Sequence, residues 1–150
     1  MFLSGYEGGD VLKTKREDAR GLPTPLRHDT LVLIVDDERA IAEVLATIVE
    51  CVGYPTVIAS NGREALELVR QQWPAVVISD VLMPIMDGCS LVDALRADAV
   101  AWDIPLPALV LMTAASMRAA RDAQVDAVVA KPFDITVIET LLQRFLPEAS

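Results

Sequence analysis

The sequence predicts an α/β fold in which five parallel strands form one sheet with helices on both faces. Two observations indicate this fold class. Short apolar runs rich in β-branched residues recur along the chain, and each is too short for a helix but typical of a strand buried on both faces. Segments with helical apolar periodicity separate these runs, and such crossover connections produce a parallel, doubly wound sheet.

Strands and helices can be placed in chain order. The predicted strands are Leu31–Val35, Thr56–Ala59, Ala75–Ile78, Ala108–Met112 and Ala127–Val129. The first helix covers residues 41–52, where an apolar stripe that includes Val44 ends at the capping residue Gly53. Pro55 directly precedes the second strand and indicates that this strand lies near a sheet edge. Asn61 caps the second helix.

The second half of the chain continues the alternation. The remaining predicted helices are Ser90–Ala97, Ser116–Ala123 and a last helix with an apolar stripe from Ile135 to Phe145. Residues 98–107 contain Pro105 and Pro107 and are expected to form a loop, with Trp102 packing over the sheet edge.

The domain is expected to cover residues 30–147, with residues 148–150 as its C-terminal end. Residues 1–29 combine glycine, proline and mixed charge without a sustained period, which predicts a flexible tail with a helical turn near Val11–Ala19.

The 150 residues suit one domain, and a hydrophobic fraction of 53% with a mean hydropathy of +0.38 argues against a disordered protein. No secretory signal or membrane span is evident, so a cytoplasmic location without membrane insertion is expected.

The charge distribution is informative about partners. A net charge of −9 argues against direct nucleic-acid binding. Residues 1–29 hold five basic and five acidic residues, whereas residues 30–150 hold eight basic and seventeen acidic residues. Seven of those eight basic residues are arginine, and the exception is Lys131.

Four predicted strands end in polar residues that a parallel sheet would bring to one edge. These residues are Asp36 with Asp37, then Asp80, Thr113 and Lys131. Carboxylates about 4 Å apart repel by about 4 kcal/mol per pair at an effective dielectric of 20, so such a site needs a cation. Oxygen ligands with room for water indicate Mg²⁺. Helix capping is the alternative explanation for Asp37 and Glu38, but it does not explain Asp80, which precedes a long loop.

Lys131 strengthens the case for a phosphoryl-transfer site. A compact ammonium fits a crowded carboxylate or phosphoryl oxygen better than a guanidinium fork, although chance composition is an alternative. A metal, a carboxylate nucleophile, a cation and the Thr113 hydroxyl are the parts that phosphoryl transfer requires. The glycine-rich phosphate loop of nucleotide-binding folds is missing after the first strand, which disfavours a nucleotide site.

These residues resemble the receiver domain of two-component response regulators, which has a flavodoxin-like fold. The resemblance covers about residues 31–147. Its motifs are Val35-Asp36-Asp37-Glu38, Asp80 with Met83-Pro84 and Asp87-Gly88, Thr113-Ala114, and Lys131-Pro132-Phe133.

The resemblance implies a role for each site residue. Asp80 would be the phosphoacceptor, and Asp37, Asp80 and the backbone carbonyl of Leu82 would bind Mg²⁺ or Mn²⁺ directly. Asp36 would act through a metal-bound water, and Lys131 would pair with Asp80 or the phosphoryl group. The phosphoryl-binding switch positions would be Thr113 and Ala114, and the Lys131-Pro132 peptide would be cis.

Three features depart from the family pattern. The switch aromatic is replaced by Val128, and only 18 positions separate Thr113 from Lys131, so the fourth helix should be short or poorly formed. Leu82 and Ala115 occupy the positions that flank the path of hydrolytic water. Neither side chain can hold a water, which predicts slow self-dephosphorylation.

The resemblance implies a single-domain response regulator rather than a classical enzyme. Its phosphodonor would be a sensor histidine kinase or a histidine phosphotransfer protein, its output a contact with a downstream protein, and a homodimer is possible for this family. One alternative is a phosphorylation-independent interaction module on the same fold, which the valine at 128 favours. A phosphohydrolase is a weaker alternative, because Leu82 stands where such enzymes carry a general acid.

Overall fold

The computed structural model describes residues 16–114, 120 and 123–147, and it shows the predicted five-stranded sheet. The strands are β1 Val32–Val35, β2 Thr56–Ala59, β3 Val76–Asp80, β4 Ala108–Thr113 and β5 Ala127–Ala130. All neighbouring pairs are parallel, in the order β2-β1-β3-β4-β5. The strand after Pro55 therefore lies at an edge, as its sequence predicted.

Four helices are described around this sheet. They are α1 Arg39–Val52, α2 Gly62–Val69, α3 Gly88–Trp102 and α4 Ile135–Phe145. Gly53 ends α1 with a φ of 113°, and the Asn61 side chain accepts a hydrogen bond from Glu64 N–H at the start of α2. The helix expected over Ser116–Ala123 lies mostly outside the described residues.

Helices on both faces of the sheet produce two apolar cores. Leu45, Val49, Ile138 and Leu142 of α1 and α4 pack on one face of the sheet, while Leu91 and Leu95 of α3 pack on the other. β1 is buried along its whole length, as a central strand with helices on both sides must be. Two positions of the predicted stripes are exposed instead, because Val44 and Ile135 lie on the outer sides of α1 and α4.

Helix α3 extends five residues beyond its predicted C-terminal end at Ala97, and it begins two residues before the predicted Ser90. The expected loop 98–107 begins only at Asp103, whose positive φ of 54° ends the helix. Asp98 looked like a loop residue, but its side chain is buried and paired with two arginines. Trp102 is the last helical residue, and its ring meets Trp73 edge to face with 5.8 Å between ring centroids.

The expected tail differs from the structure over residues 16–29, which pack against the sheet-and-helix body. Leu26–Arg27 forms a two-residue parallel strand with Gln72–Trp73. The indole N–H of Trp102 donates to the backbone carbonyl of Leu22 at 3.2 Å. The predicted helical turn is not found in its described part, because Glu17 instead forms a bridge with Pro23.

Asp98 joins this N-terminal segment to two helices. Its carboxylate accepts hydrogen bonds from Arg20 Nη1 at 2.7 Å and from Arg70 Nε at 3.0 Å. Arg20 also lies over the Trp102 ring, 5.2 Å from its centroid, and pairs with Asp18. Ion pairs and hydrogen bonds between residues distant in the chain leave no periodic pattern in the sequence. The sequence of residues 16–29 therefore predicted a tail.

Every helix found within residues 16–114, 120 and 123–147 is too short or too polar to serve as a transmembrane span.

Replacing Asp98 with asparagine should lower the free energy of unfolding by about 1–3 kcal/mol, since a buried group loses charge-assisted hydrogen bonds to two arginines. Urea denaturation followed by circular dichroism measures this change. Asp93→Asn is the matched control, because Asp93 is an exposed residue of the same helix and should change stability by no more than about 0.5 kcal/mol. Equal effects of both variants would contradict a structural role for the Asp98 pair.

Candidate phosphoryl-transfer site

Parallel strand register brings the predicted site residues to one edge of the sheet. Asp80 and Thr113 are the last residues of β3 and β4, while Asp36 and Lys131 directly follow β1 and β5. Val35 lies opposite Ser79, and Thr113 lies opposite Ala130, so these strand ends stand side by side. The crevice beyond the carboxyl ends of such strands is the usual ligand position in open α/β sheets.

Three carboxylates meet in this crevice. Asp36, Asp37 and Asp80 each present an oxygen, and the three oxygens lie within 4.8 Å of one another. Asp36 is 1% exposed and Asp80 8% exposed, whereas Asp37 faces solvent. Hard oxygen donors at this spacing, with one open side for water, suit a divalent cation such as Mg²⁺.

Lys131 supplies positive charge to the same crevice. Its Nζ lies 2.9 Å from Asp36 Oδ2 and 3.3 Å from Asp80 Oδ2. The resemblance implied a pair with Asp80, and the structure adds the shorter contact with Asp36. The Lys131-Pro132 peptide is cis, as the resemblance implied.

Electrostatics in the crevice shift two pKa values. Burial raises the pKa of Asp80; the Lys131 charge opposes this and the Asp36 charge adds to it, so the pKa lies above its ordinary value. Burial lowers the pKa of Lys131, but the hydrogen bond to Asp36 and the charges of both aspartates outweigh it and hold that pKa above its ordinary value. The Lys131 ammonium is therefore charged at neutral pH.

The structure also places most of the other predicted site residues. Thr113 is buried, and its carbonyl accepts a hydrogen bond from Lys131 N–H at 3.0 Å. Ala114 is exposed just beyond β4, and the side chain of Leu82, two residues after Asp80, is 64% exposed. Val128 is half-buried within β5, opposite Leu111. Ala115 lies outside the described residues.

Sequence reasoning did not assign a role to two glycines near the crevice. A Cβ on Gly88 would lie 2.2 Å from the Asp80 carbonyl oxygen, so only glycine lets α3 begin this close to the end of β3. A Cβ on Gly62 would lie 2.7 Å from Met86 Cγ, where α2 meets the loop after β3. The Asp87-Gly88 dipeptide indicated a turn, but nothing local in the sequence indicates these close approaches.

Comparison with known proteins decides the family. The response regulator receiver domain family matches residues 32–143, which span β1 to most of α4. This chain belongs to that family. It is therefore a receiver domain of the kind found in two-component response regulators.

Individual relatives agree with this assignment. The chain is 37% identical over 131 residues to the probable transcriptional regulator ycf27 of Guillardia theta, covering 85% of this chain and 49% of that protein. This receiver thus spans about half the length of the curated relatives it matches. The receiver domain of a signal transduction histidine kinase from Syntrophus aciditrophicus has 34% identity and a TM-score of 0.69, covering 78% of this chain and 89% of that one.

One structural neighbour carries a metal. The receiver domain of sensor histidine kinase PA1611 from Pseudomonas aeruginosa PAO1 was solved with a magnesium ion coordinated in its active-site cleft. It covers 79% of this chain and 98% of that chain with a TM-score of 0.67, and its 23% identity establishes a shared fold only.

Asp80→Asn should raise the free energy of unfolding of the metal-free receiver at pH 7. The pKa of Asp80 is raised in the folded protein, so the folded protein binds this proton more tightly than the unfolded chain does. The protonated carboxyl therefore contributes its full stabilisation below the unfolded pKa of about 4, and this contribution is lost as pH rises through the folded pKa. The advantage of the variant should therefore shrink as pH falls toward 4. Urea denaturation in EDTA across this pH range measures the difference, and a variant less stable than the parent at pH 7 would contradict the argument.

Proposed function

We propose that this receiver accepts a phosphoryl group on Asp80 from a phosphohistidine, in a magnesium-dependent reaction. The observation that carries the proposal is the Lys131 ammonium between two buried carboxylates, with the third carboxylate completing a cluster open to solvent. One carboxylate would be enough to neutralise the Lys131 ammonium in a structural ion pair. Three carboxylates and one ammonium leave excess negative charge, which a divalent cation would balance.

Each residue has a defined part in the proposed transfer. A carboxylate oxygen of Asp80 attacks phosphorus, forming a P–O bond as the P–N bond to the donor imidazole breaks. The electron pair of the broken bond stays on the imidazole nitrogen, which then takes a proton from solvent water. Lys131 binds Asp80 or the phosphoryl oxygens, and Thr113 and Ala114 bind the phosphoryl group from the end of β4.

The metal ligands in this proposal are Asp37, Asp80 and the Leu82 carbonyl, with Asp36 acting through water. Magnesium, or manganese in its place, would offset the charge of the attacking carboxylate and the phosphoryl oxygens. The carboxylate cluster supports this assignment. The chain acts here as a phosphoacceptor that assists its own reaction, not as a classical enzyme.

Protein contacts are the proposed route of signal input and output. The donor is a sensor histidine kinase or a histidine phosphotransfer protein in the cytoplasm, and the target is another protein, with a homodimer as one form of output. The net charge of −9 disfavours direct contact of this receiver with nucleic acid. The name of the Guillardia theta relative supports a regulatory role, and that relative is about twice as long.

Incubation with a small phosphodonor and Mg²⁺ tests the proposed chemistry. Mass spectrometry should show the gain of one phosphoryl group on the parent protein, and EDTA or Asp80→Asn should abolish it. Asp93→Asn, which removes an exposed carboxylate of α3, should react at the parent rate. Failure of the parent protein to react would favour the phosphorylation-independent interaction module.

Self-dephosphorylation of the receiver should be slow. Leu82 carries no polar group to hold a hydrolytic water beside Asp80. Leu82→Asn places an amide there and should shorten the half-life of the phosphorylated protein by about tenfold, equivalent to about 1.4 kcal/mol in barrier height. The half-life is measured in Mg²⁺ without a phosphatase, and Leu26→Asn, at another exposed leucine, is the control. A short half-life of the parent protein would contradict the prediction.

A further inference from the structure

A pocket near the C-terminal end of α3 holds the side chain of Arg20. Its Nη1 lies 2.7 Å from Asp98 Oδ1, and its guanidinium carbon lies 5.2 Å from the centroid of the Trp102 ring. Asp98 and Trp102 are both buried, so this contact is shielded from water. A buried carboxylate beside an aromatic ring suits a guanidinium better than an ammonium, because a guanidinium forms directed hydrogen bonds and stacks on aromatic faces.

Each charge of the Arg20–Asp98 pair also has a second partner. Arg70, which follows α2, donates to the Asp98 carboxylate from Nε at 3.0 Å and from Nη2 at 3.3 Å. Arg20 donates from Nε to Asp18 Oδ2 at 2.7 Å, within its own segment. Separation of Arg20 from Asp98 would therefore leave both charges paired, which avoids the large penalty for an isolated buried charge. Arg20 can thus be exchanged for another cation at low cost.

The N-terminal segment, residues 16–29, covers this pocket with little burial of its own. Pro25 is the only residue of the segment that is buried as a whole. His28 N–H donates to the Trp73 carbonyl at 2.9 Å, but the strand pairing extends over only two residues of each partner. Segments with so little buried surface open at a free energy well below that of global unfolding.

We propose that Asp98 and Trp102 form a docking pocket for an arginine side chain of a partner protein, and that Arg20 occupies it until the partner displaces the N-terminal segment. The partner presents this arginine on an extended segment that pairs with residues 72–73, as residues 26–27 do here. Charge favours a basic segment, because residues 30–150 hold eight basic and seventeen acidic residues. The pocket lies at the end of α3 remote from Asp80, so it is separate from the proposed phosphoryl-transfer site.

A synthetic peptide of residues 16–29 tests whether the pocket accepts arginine from another molecule. Trp73 and Trp102 are the two tryptophans of the chain and the peptide has none, so intrinsic fluorescence reports on the pocket. The full-length Arg20→Ala variant should bind the peptide about tenfold more tightly than the parent chain, whose own Arg20 competes. In the peptide, Arg20→Lys should weaken binding to this variant about tenfold, and Arg20→Ala should abolish it.

Two further full-length variants are controls. Arg39→Ala removes an exposed arginine of α1 and should bind the peptide as weakly as the parent does. The double variant Arg20→Ala/Asp98→Asn removes the carboxylate of the pocket and should lose the gain in affinity. Circular dichroism verifies that each variant is folded. The peptide variants test the same contact on a chain whose Asp98 is unaltered.

Every outcome decides for or against the pocket. Tighter binding by Arg20→Ala that is lost with the alanine peptide would support it. No binding by Arg20→Ala, equal binding by the parent, or equal binding of the lysine or alanine peptide would overturn it. Analytical ultracentrifugation tests a second copy of this chain as the occupant. A dimer of the parent that Arg20→Ala abolishes would indicate exchange of the segment between copies and would overturn the assignment to a partner protein.

Discussion

The contact of the Lys131 ammonium with Asp36 and Asp80 is the interaction on which the site depends. Both carboxylates are almost fully buried, and burying charge is unfavourable unless it is paired. Lys131 can reach both because β5 ends at the same rim as β1 and β3, although β3 and β4 separate it from β1 in the sheet. The parallel topology is thus a requirement of the electrostatics, since an antiparallel strand would bring its opposite end to this rim.

Compensation by one lysine is incomplete, and this gives the crevice its chemical character. Burial keeps the pKa of Asp80 raised even with the ammonium 3.3 Å away. A carboxylate with a raised pKa and an unsatisfied charge partner is a common sign of a functional site. The rim of the described structure therefore carries more negative than positive charge, and a divalent cation would balance it.

Helix α3 connects this rim with the N-terminal segment. At its first residue, Gly88 permits contact with the Asp80 carbonyl, and near its last turn Asp98 pairs with Arg20 and Arg70. The helix is about 22 Å long at 1.5 Å per residue. Residues 16–29 precede the part of the chain that matches the receiver family, yet they contribute to packing at the far end of this helix.

The sequence by itself determined the sheet, its parallel direction and the rim at which Asp36, Asp80, Thr113 and Lys131 meet. Apolar periodicity and strand-end residues are local signals, and the sheet topology turns them into a shared location. Tertiary structure alone decided the length of α3, the packing of residues 16–29 and the contact of Lys131 with Asp36. These features depend on partners distant in the chain, so no local pattern encodes them.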